Sequence, residues 1–270
     1  MQPPVVLSIA GSDSGGGAGI QADIRAINSR QVFAATAITA VTAQNTTTVT
    51  TIELLADSIV AAQIDAVLSD LSPRVIKTGM LGQASTVELV ARYAADGKFP
   101  FLVMDPVLVS TTGFSLMDST GAGIIRQILL PHCDLITPNV DEAQLLLGTE
   151  TTISDVEGLT KLGQDLLDFG PKAVLVKGGH VREGLPQNSP DVLVTHNGVQ
   201  VFDGPRINSH NDHGTGCSLA SAIAAGIAIG ESLELSISTA KQLVANALRS
   251  SSSWRLGQGR GPLDMLGWNQ

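Results

Sequence analysis

Short apolar runs alternate with helical patterns along most of the chain, and this alternation limits the fold more than any other feature. Several of the apolar runs are continuous, as expected for strands that are buried on both faces. The predicted strands are residues 5–9, 33–41, 74–78, 101–105, 134–137 and 173–177. Apolar residues at helical spacing occupy residues 58–70, 86–95 and 232–249. The alternation predicts an α/β fold with a central, mainly parallel sheet and helices on both faces.

One segment departs from the alternation and is typical of a β-hairpin. Residues 191–196 and 199–203 are β-rich runs joined by Asn197-Gly198, a dipeptide that favours a type I′ turn. No linker rich in proline, serine or charge divides the chain, and no internal repeat is present. We therefore expect one domain over residues 1–270, with a small hairpin and an exposed loop at residues 183–190.

The composition argues against several classes of partner. The net charge is −9 and only 3% of the residues are aromatic, so neither a basic nucleic-acid surface nor a stacking platform is expected. The two cysteines, Cys133 and Cys217, do not form a disulfide framework, which fits a reducing cytosol. The N-terminus lacks the features of a signal peptide, and the apolar run 219–230 is shorter than the roughly 20 residues of a membrane helix. We expect a cytoplasmic protein that binds neither nucleic acid nor a membrane.

Polar and glycine-rich groups follow the predicted strands. In open parallel sheets the ligand crevice lies beyond the carboxyl ends of the strands. The groups at those ends are residues 11–19, 44–45, 79, 105, 139 and 177–179. Their clustering predicts a binding site at this edge of the sheet.

The first glycine-rich loop, GSDSGGGAGIQAD at residues 11–23, follows a strand and opens a helix. It lacks the Gly-Lys-Ser/Thr of a Walker A loop, since a Gly-Ala pair follows Gly16. A Rossmann fingerprint fits loosely at residues 17–22, but the first acidic residue after Asp23 is Glu53, too far along the chain to hold a ribose. The loop is either a tight turn that packs a helix against the sheet or a backbone surface for a small substrate, with Asp23 nearby.

Single polar residues at other strand ends have both a structural and a functional interpretation. Gln44 and Asn45 either cap a turn or contact the edge of a heterocycle, because a carboxamide donates and accepts hydrogen bonds at once. Asp105 either caps a turn or holds Mg²⁺. Glu142, in the first turn of a helix that begins at Pro138, either interacts with the helix dipole or serves the same Mg²⁺.

Two glycine-containing segments near the C-terminal half are candidates for phosphate binding. Lys177 is followed by two glycines and would offer a cation and bare amides to a phosphate. His180, just beyond, is either catalytic or part of the polar surface. Gly214-Thr215-Gly216 precedes a helical apolar run, and such a turn presents unpaired amides and the positive end of a helix dipole. This arrangement suits negative charge on a phosphoryl group in transfer.

Cys217, directly after this turn, has several interpretations. A helix N-terminus tends to lower the pKa of a thiol, which favours a reactive cysteine. The residue is otherwise a small buried apolar group, or a metal ligand together with His210 and His213. The spacing H-x₂-H-x₃-C is not that of a standard zinc site. Phosphoryl transfer to a bound alcohol needs no covalent nucleophile.

Together these segments resemble the ribokinase-like superfamily, and within it the hydroxymethylpyrimidine/phosphomethylpyrimidine kinases of thiamine biosynthesis. The motifs occur in order over nearly the whole chain: AGSDSGGGAGIQAD, TAVTAQNT, KTGMLG, DPV, LITPNVDEA, VLVKGGH and HGTGC. Most sugar kinases of the superfamily have an aspartate where this chain has Cys217. With a cysteine at this position, the chain resembles the pyrimidine kinase branch instead. Pyridoxal kinases are close relatives and form the alternative.

The resemblance implies that ATP, with Mg²⁺, phosphorylates 4-amino-5-hydroxymethyl-2-methylpyrimidine to its monophosphate and then to the diphosphate. It implies a substrate pocket in which Gln44 hydrogen-bonds the aminopyrimidine, surrounded by Gly11, Asp23, Met80 and Val107. The residues implied for Mg²⁺ and phosphates are Asp105, Asn139 and Glu142, with Lys177 and Gly216 at ATP. The implied anion hole is Gly214, Thr215 and Gly216. Cys217 would lie beside the reacting hydroxyl, either as a weak base or as a positioning group for a primary alcohol. Partners are small molecules, and homodimers are common in the family.

The chain departs from the usual family pattern in two places. Family members often have a basic residue soon after DPV, whereas residues 108–113 contain none. Many have a basic residue and a glycine after AQNT, whereas Thr47 and Thr48 stand here. Both departures remove positive charge near the place where a substrate phosphate is expected. They weaken the expectation of the second phosphorylation more than that of the first.

Overall fold

The computed structural model describes residues 2–108, 119–179 and 187–269, without the side chains of residues 119 and 120. The strands of this part of the chain are β1 (Val5–Asp13), β2 (Phe33–Gln44), β3 (Val49–Leu54), β4 (Val75–Thr78), β5 (Leu102–Met104), β6 (Leu135–Ile136), β7 (Ala173–Lys177), β8 (Asp191–Thr195) and β9 (Gly198–Phe202). They form one nine-stranded sheet in the order β3-β2-β1-β4-β5-β6-β7-β8-β9. The strands from β2 to β7 in this order are parallel, and β3, β8 and β9 are antiparallel to their neighbours.

Helices cover both faces of the sheet. They are α1 (Gly19–Asn28), α2 (Asp57–Asp70), α3 (Ala84–Ala95), α4 (Ser119–Ile124), α5 (Val140–Leu147), α6 (Val156–Leu167), α7 (Thr215–Ala228) and α8 (Leu233–Ser250). A π-helical turn (Ile125–Leu129) and a 3₁₀ turn (Leu130–His132) follow α4, and a second 3₁₀ turn (Ser251–Ser253) follows α8. One apolar core joins the sheet to α2, α3, α5 and α6, and the other joins it to α1, α7 and α8. The predicted α/β fold with helices on both faces is confirmed.

Burial on both faces explains the continuous apolar runs. In β1, Leu7 and Ile9 lie in one core while Val6 lies in the other. A strand whose side chains alternate between two cores must be apolar at every position. The parallel strands end at the same edge of the sheet, which brings the polar groups that follow them together.

The hairpin is confirmed, but its turn is not of type I′. The strands β8 and β9 pair with Thr195 opposite Gly198, so His196 and Asn197 are the two central residues. A type I′ turn requires positive φ at both, and neither has it. The hydroxyl of Thr195 closes the turn instead: it accepts from the Asn197 N–H at 3.2 Å and donates to the Gly198 carbonyl at 3.2 Å.

Strand β3 was not predicted. Most of its side chains are exposed, so it lacks the apolar signature of a buried strand. It forms because the chain reverses after β2. The Asn45 carboxamide oxygen accepts from the N–H groups of Thr47 and Thr48 at 2.9 and 3.0 Å, which is the turn-capping interpretation of this residue.

Candidate active site

A cavity of about 1060 Å³ lies at the carboxyl ends of the parallel strands. It contains nearly all of the residues that the sequence and the resemblance indicated: Gly11, Gln44, Met80, Val107, Asp105, Asn139, Glu142, Lys177, Gly214, Thr215, Gly216 and Cys217. Because these residues come from β1 to α7 and are far apart in sequence, the parallel sheet is what places them around one space. Asp23 does not line this cavity.

The first glycine-rich loop is held by the side chain of Asp13. Its carboxylate accepts hydrogen bonds from the N–H groups of Gly15, Gly17 and Ala18 at 2.8, 3.0 and 2.8 Å. Burial disfavours the charged form, but hydrogen bonds from His213 and from backbone N–H groups hold the pKa of Asp13 below its usual value. The loop is therefore a rigid backbone surface at one wall of the cavity.

The second glycine-rich turn packs directly on the first. Gly214 has φ +84° and is the N-cap of α7. A Cβ at this position would lie 2.0 Å from the Gly17 carbonyl oxygen, so only glycine permits the contact. No side chain caps the N-terminus of α7; the Thr215 N–H donates to the Asp212 carbonyl at 3.3 Å, and the amides that follow it can face an anion.

Cys217 lies in the first turn of α7, as expected, but its thiol is not activated. Burial raises the pKa of Cys217 to about 12. Lys77 and the Gly19 N–H favour the thiolate, whereas the carboxylates of Asp23 and Asp105 oppose it. The expectation that this position lowers the pKa of Cys217 is wrong in this structure, because desolvation outweighs Lys77 and the Gly19 N–H.

A lysine between two carboxylates forms the floor of the cavity. The Lys177 ammonium donates to Asp105 Oδ1 at 2.9 Å and lies 3.7 Å from Glu142 Oε2. Lys177 and Lys77 hold the pKa of Asp105 below its usual value although burial opposes this, and the carboxylates raise the pKa of Lys177. Burial raises the pKa of Glu142 to about 7; Lys177 lowers it and Asp105 adds to the rise. A Cβ on Gly216 would lie 3.2 Å from the Lys177 nitrogen, so this cation faces the turn before Cys217.

Glu142 also has the structural role that the sequence allowed. It forms a capping box at the start of α5: the Asn139 side chain accepts from the Glu142 N–H at 2.8 Å, and Glu142 Oε2 accepts from the Asn139 N–H at 2.8 Å. Its other carboxylate oxygen is not used by the box. The capping box therefore fixes the position of Glu142 beside Asp105 and Lys177.

The donor set fits Mg²⁺ bound together with a nucleotide. Within the described residues there is no group of three or more His, Cys, Asp or Glu side chains arranged to hold a metal by themselves. Mg²⁺ is commonly bound by one or two carboxylates and substrate phosphates, and Asp105 and Glu142 supply the carboxylates. The same result gives no support to a metal site at Cys217, His210 and His213.

The position of Asp23 corrects an expectation. Its side chain is fully buried beneath the cavity, where both oxygens accept from the Lys77 ammonium at 2.9 Å. The hydroxyls of Ser8 and Ser221 donate to it at 2.6 and 2.7 Å. With these partners Asp23 joins β1, β4, α1 and α7, and its side chain does not line the cavity.

His213 and Lys241 are among the cavity residues that the sequence did not indicate as site residues. His213 was considered only as a metal ligand, yet its ring nitrogen Nε2 lies 3.0 Å from Asp13 Oδ2 and 3.2 Å from Gln44 Nε2. Its position just before Gly214 was a signal that could have been used. Lys241 on α8 donates to Asp191 Oδ2 at 2.6 Å and to the Ser189 carbonyl at 2.6 Å. No local signal in α8 marks this lysine.

Some expectations concern residues outside the described part of the chain. His180 lies there, as do residues 109–113 of the segment without basic residues and residues 183–186 of the expected loop. In the described residues, none of the helices combines the length and apolar character that crossing a membrane requires.

Comparison with known proteins identifies the family. The family model described as phosphomethylpyrimidine kinase matches residues 13–264. The hydroxymethylpyrimidine/phosphomethylpyrimidine kinase of Synechococcus elongatus is 44% identical over 263 residues, which cover 97% of both chains. The chloroplastic thiamine biosynthetic bifunctional enzyme of Arabidopsis thaliana is 45% identical over 264 residues; the match covers 97% of this chain and 50% of the plant enzyme. The chain thus spans about half the length of that bifunctional relative.

Solved structures share the whole fold. The ADP complex of Bacillus subtilis pyridoxal kinase has a TM-score of 0.89 and 28% identity, and the match covers 98% of each chain. The phosphomethylpyrimidine kinase of Clostridium difficile has a TM-score of 0.79 and 34% identity, covering 90% of this chain and 99% of that one. The chain has the ribokinase-like fold and belongs to the phosphomethylpyrimidine kinase family.

Proposed function

We propose that this chain is an ATP-dependent kinase of thiamine biosynthesis. It phosphorylates 4-amino-5-hydroxymethyl-2-methylpyrimidine to the monophosphate and then to the diphosphate. The observation that carries the proposal is the meeting, in one cavity, of an amide-lined anion site at Gly214–Gly216, the Lys177–Asp105 pair and the Gln44 carboxamide. The first two suit phosphoryl transfer, and the third suits recognition of a heterocycle. Family membership and the names of the relatives support the same activity.

The nucleotide half of the cavity lies between the hairpin and α8. Apolar side chains of Phe202, Ile207, Val244 and Leu248 line it, and they suit the flat face of a purine. Lys177 lies where this half meets the amides of the second glycine-rich turn. We infer that the base of ATP occupies the apolar part and that its phosphates extend toward Lys177.

The substrate half lies between the first glycine-rich loop and the strand ends. Gln44, Met80 and Val107 surround a small space, and a Cβ at Gly11 would lie 3.2 Å from the Met80 sulfur. Glycine at this position therefore allows the Met80 side chain to pack against β1. One polar carboxamide in a mostly apolar pocket is the pattern expected for a small heteroaromatic substrate.

In the proposed reaction, the oxygen of the substrate hydroxymethyl group forms a bond to the γ-phosphorus of ATP. The bond from this phosphorus to the bridging oxygen breaks, ADP leaves, and the proton of the hydroxyl group is released to solvent. The amides of Gly214–Gly216 and the Lys177 ammonium stabilise the charge on the transferred group. Mg²⁺, when held by Asp105 and Glu142, would neutralise phosphate charge. Cys217 is a protonated thiol at neutral pH, so it positions the hydroxyl rather than accepting its proton before transfer.

The second phosphorylation needs a cation for the phosphate of the monophosphate. Arg260 supplies one: it lines the cavity, and its backbone N–H donates to the Thr46 carbonyl at 3.1 Å. Its guanidinium is oriented by Asp212, which accepts from Nε at 2.7 Å. The C-terminal segment therefore brings a guanidinium, paired with Asp212, to the loop that lacks a basic residue after Asn45.

A product assay tests this proposal. Purified protein is incubated with MgATP and either the pyrimidine alcohol or its monophosphate, and the products are followed by mass. We expect both products, with Lys177→Met as the inactive control. Absence of monophosphate above that control would refute the proposal, and absence of diphosphate alone would limit it to the first step.

A pyridoxal kinase is the second candidate. The TM-score of 0.89 with the pyridoxal kinase of Bacillus subtilis exceeds the 0.79 with the pyrimidine kinase of Clostridium difficile, although the sequence identity is lower. Values of kcat/KM for the pyrimidine alcohol and for pyridoxal decide between them, since specificity is the ratio of these values. A ratio in favour of pyridoxal would replace the first candidate.

The proposal extends to the cellular context. Two free cysteines suit a reducing compartment, and we propose a cytoplasmic location with small molecules as the partners. We also propose a homodimer through the edge of the sheet, where Val41 of β2 and Leu54 of β3 are exposed. Light scattering measures the mass in solution, and a monomer at all concentrations would exclude the dimer.

A further inference from the structure

His213 connects the first glycine-rich loop to the residue assigned to the heterocycle. Its side chain is buried, and its Nε2 lies 3.0 Å from Asp13 Oδ2 and 3.2 Å from Gln44 Nε2. The ring packs on Gly17, where a Cβ would lie 2.2 Å from His213 Cδ2. The imidazole is therefore packed against the first glycine-rich loop, and its Nε2 faces two polar groups.

The chemistry of these groups decides which nitrogen carries a proton. The Asp13 carboxylate already accepts from Gly17 and Ala18 and has no hydrogen to donate. Its contact with His213 is a hydrogen bond only if Nε2 carries the hydrogen. An N–H group cannot accept a hydrogen bond, so it cannot be a partner for the NH₂ group of Gln44.

The orientation of the Gln44 carboxamide follows from this assignment. The two ends of a carboxamide have nearly the same shape, so hydrogen-bond partners determine which end faces which neighbour. If Oε1 faces His213, it accepts from Nε2–H. The NH₂ group then faces Thr42 Oγ1, which lies 3.4 Å from that end of the carboxamide and donates its own hydrogen to the Ser12 carbonyl at 3.0 Å. In this arrangement the Nε2–H is shared between Asp13 Oδ2 and Gln44 Oε1, and the Gln44 NH₂ group donates to Thr42 Oγ1.

We propose that His213 is a positioning residue that holds the Gln44 carboxamide with its oxygen toward the imidazole and its NH₂ toward Thr42. This fixes the order of acceptor and donor that the pocket presents to a heterocycle. A 4-aminopyrimidine presents an amino donor next to a ring-nitrogen acceptor, whereas the 4-oxo analogue presents the reverse order. The inference rests on the proposed function, and it makes His213 a determinant of the preference for an amino-substituted ring.

The first test measures the proton on His213 directly. A ¹H–¹⁵N correlation spectrum of protein with ¹⁵N-labelled histidine, recorded without ligands, distinguishes Nε2–H from Nδ1–H. The His213 signals are assigned by their loss in His213→Gln. We expect a hydrogen on Nε2 near neutral pH. A neutral ring with hydrogen on Nδ1 alone would overturn the inference, and this readout does not depend on any enzymatic activity.

The second test measures discrimination. Values of kcat/KM for the amino alcohol and its 4-oxo analogue are compared in the unmodified protein, His213→Ala, His213→Gln and His210→Ala. We expect His213→Ala to reduce the preference for the amino compound about tenfold, mainly through KM. Without the imidazole, the Gln44 carboxamide can rotate by about 180° and exchange its oxygen and NH₂ group. His213→Gln should restore most of the preference, since its amide can donate to Asp13 and Gln44. His210 is exposed and lies three residues earlier, so His210→Ala should not alter the preference.

The outcomes separate the two proposals. An unchanged preference in His213→Ala, or an equal loss of kcat/KM for both compounds, would overturn the role of His213. If the unmodified protein phosphorylated neither compound, the proposed function would fail, and the NMR experiment would still decide the orientation of His213. Thermal unfolding of each variant identifies any that are not folded.

Discussion

The Cys217 thiol lies at a helix N-terminus and still has a raised pKa. Two carboxylates and a desolvated position favour the neutral form, and Lys77 compensates only in part. In the proposed site, a protonated thiol beside the substrate hydroxyl is a small, uncharged contact.

Alkylation tests the protonation state of Cys217. Because a pKa of about 12 leaves the thiol protonated near neutrality, iodoacetamide should modify Cys217 slowly at pH 7.5, and the rate should still rise at pH 10. The rate is measured by peptide mass spectrometry of the ligand-free protein, with Cys217→Ser as the control for assignment. A rate that reaches half of its maximum near pH 8.5, as expected for an ordinary cysteine, would contradict the raised pKa.

Gly214 is the residue at which the two glycine-rich segments touch. An alanine in the left-handed region costs about 1–2 kcal/mol. Gly214→Ala should lower the free energy of unfolding by more than this, because the new Cβ would also lie 2.0 Å from the Gly17 oxygen. It should also abolish activity by displacing the amides of α7. Urea unfolding and the product assay measure the two effects.

The matched control is Gly230→Ala. Gly230 has φ +93°, and no atom lies within 4 Å of the place that an alanine Cβ would take, so only the backbone cost applies. Equal losses of stability and activity in the two variants would show that the contact between the two glycine-rich segments contributes to neither property.

At the scale of elements, the start of α5 combines a capping box with the carboxylates of the site. Asn139 and Glu142 satisfy the first amides of α5, and the same box directs Glu142 toward Asp105 and Lys177. The raised pKa of Glu142 follows from burial beside Asp105. The Glu142 side chain thus helps to define the start of α5 and also contributes to the charge at the floor of the cavity.

The proposed Mg²⁺ role of Glu142 predicts a pH dependence. An acid whose pKa is raised to about 7 is protonated at pH 6 and ionised at pH 8, so bound Mg²⁺ must displace a proton at the lower pH. The Mg²⁺ concentration for half-maximal activity should rise as pH falls from 8 to 6. Glu142→Gln retains the capping box, and it should require more Mg²⁺ with less of this pH dependence. The same pH dependence in both proteins would exclude the role.

The sequence predicted elements well where burial is two-sided and poorly where it is not. The buried parallel strands and the amphipathic helix α8 were recognised within a few residues of their bounds. The edge strand β3 was missed because its side chains are mostly exposed. The predicted turn type was wrong because Asn-Gly favours type I′ only when the two residues occupy the centre of the turn. The strand register places His196 and Asn197 at the centre, so Gly198 already belongs to β9.

At the scale of the whole molecule, a buried ion pair joins the two halves of the site. Lys77 of β4 and Asp23 of α1 are both fully buried, and Ser8 of β1 and Ser221 of α7 complete the hydrogen bonds. Burial alone would lower the pKa of Lys77, but Asp23 and neighbouring negative groups raise it to about 12. The pair lies under both glycine-rich segments, so it supports the cavity from below.

Removing one partner should destabilise the protein strongly. Lys77→Met leaves Asp23 buried without its cation, and we expect a loss of about 3–5 kcal/mol in the free energy of unfolding. The double variant Lys77→Met with Asp23→Leu should lose less than the sum of the single variants, because no buried charge is left unpaired. Urea unfolding of the three variants measures this coupling, and additive losses would argue against it.

The sequence by itself determined the parallel sheet, the helices on both faces and the edge at which the site lies. These follow from local patterns: two-sided burial makes strands apolar throughout, and parallel strands bring their carboxyl ends together. Only the tertiary structure decided that Asp23 points into the core, that burial keeps Cys217 protonated, and that His213 meets Gln44 across 169 positions of sequence. Desolvation and long-range contacts depend on which elements pack together, and no local pattern of residues encodes that.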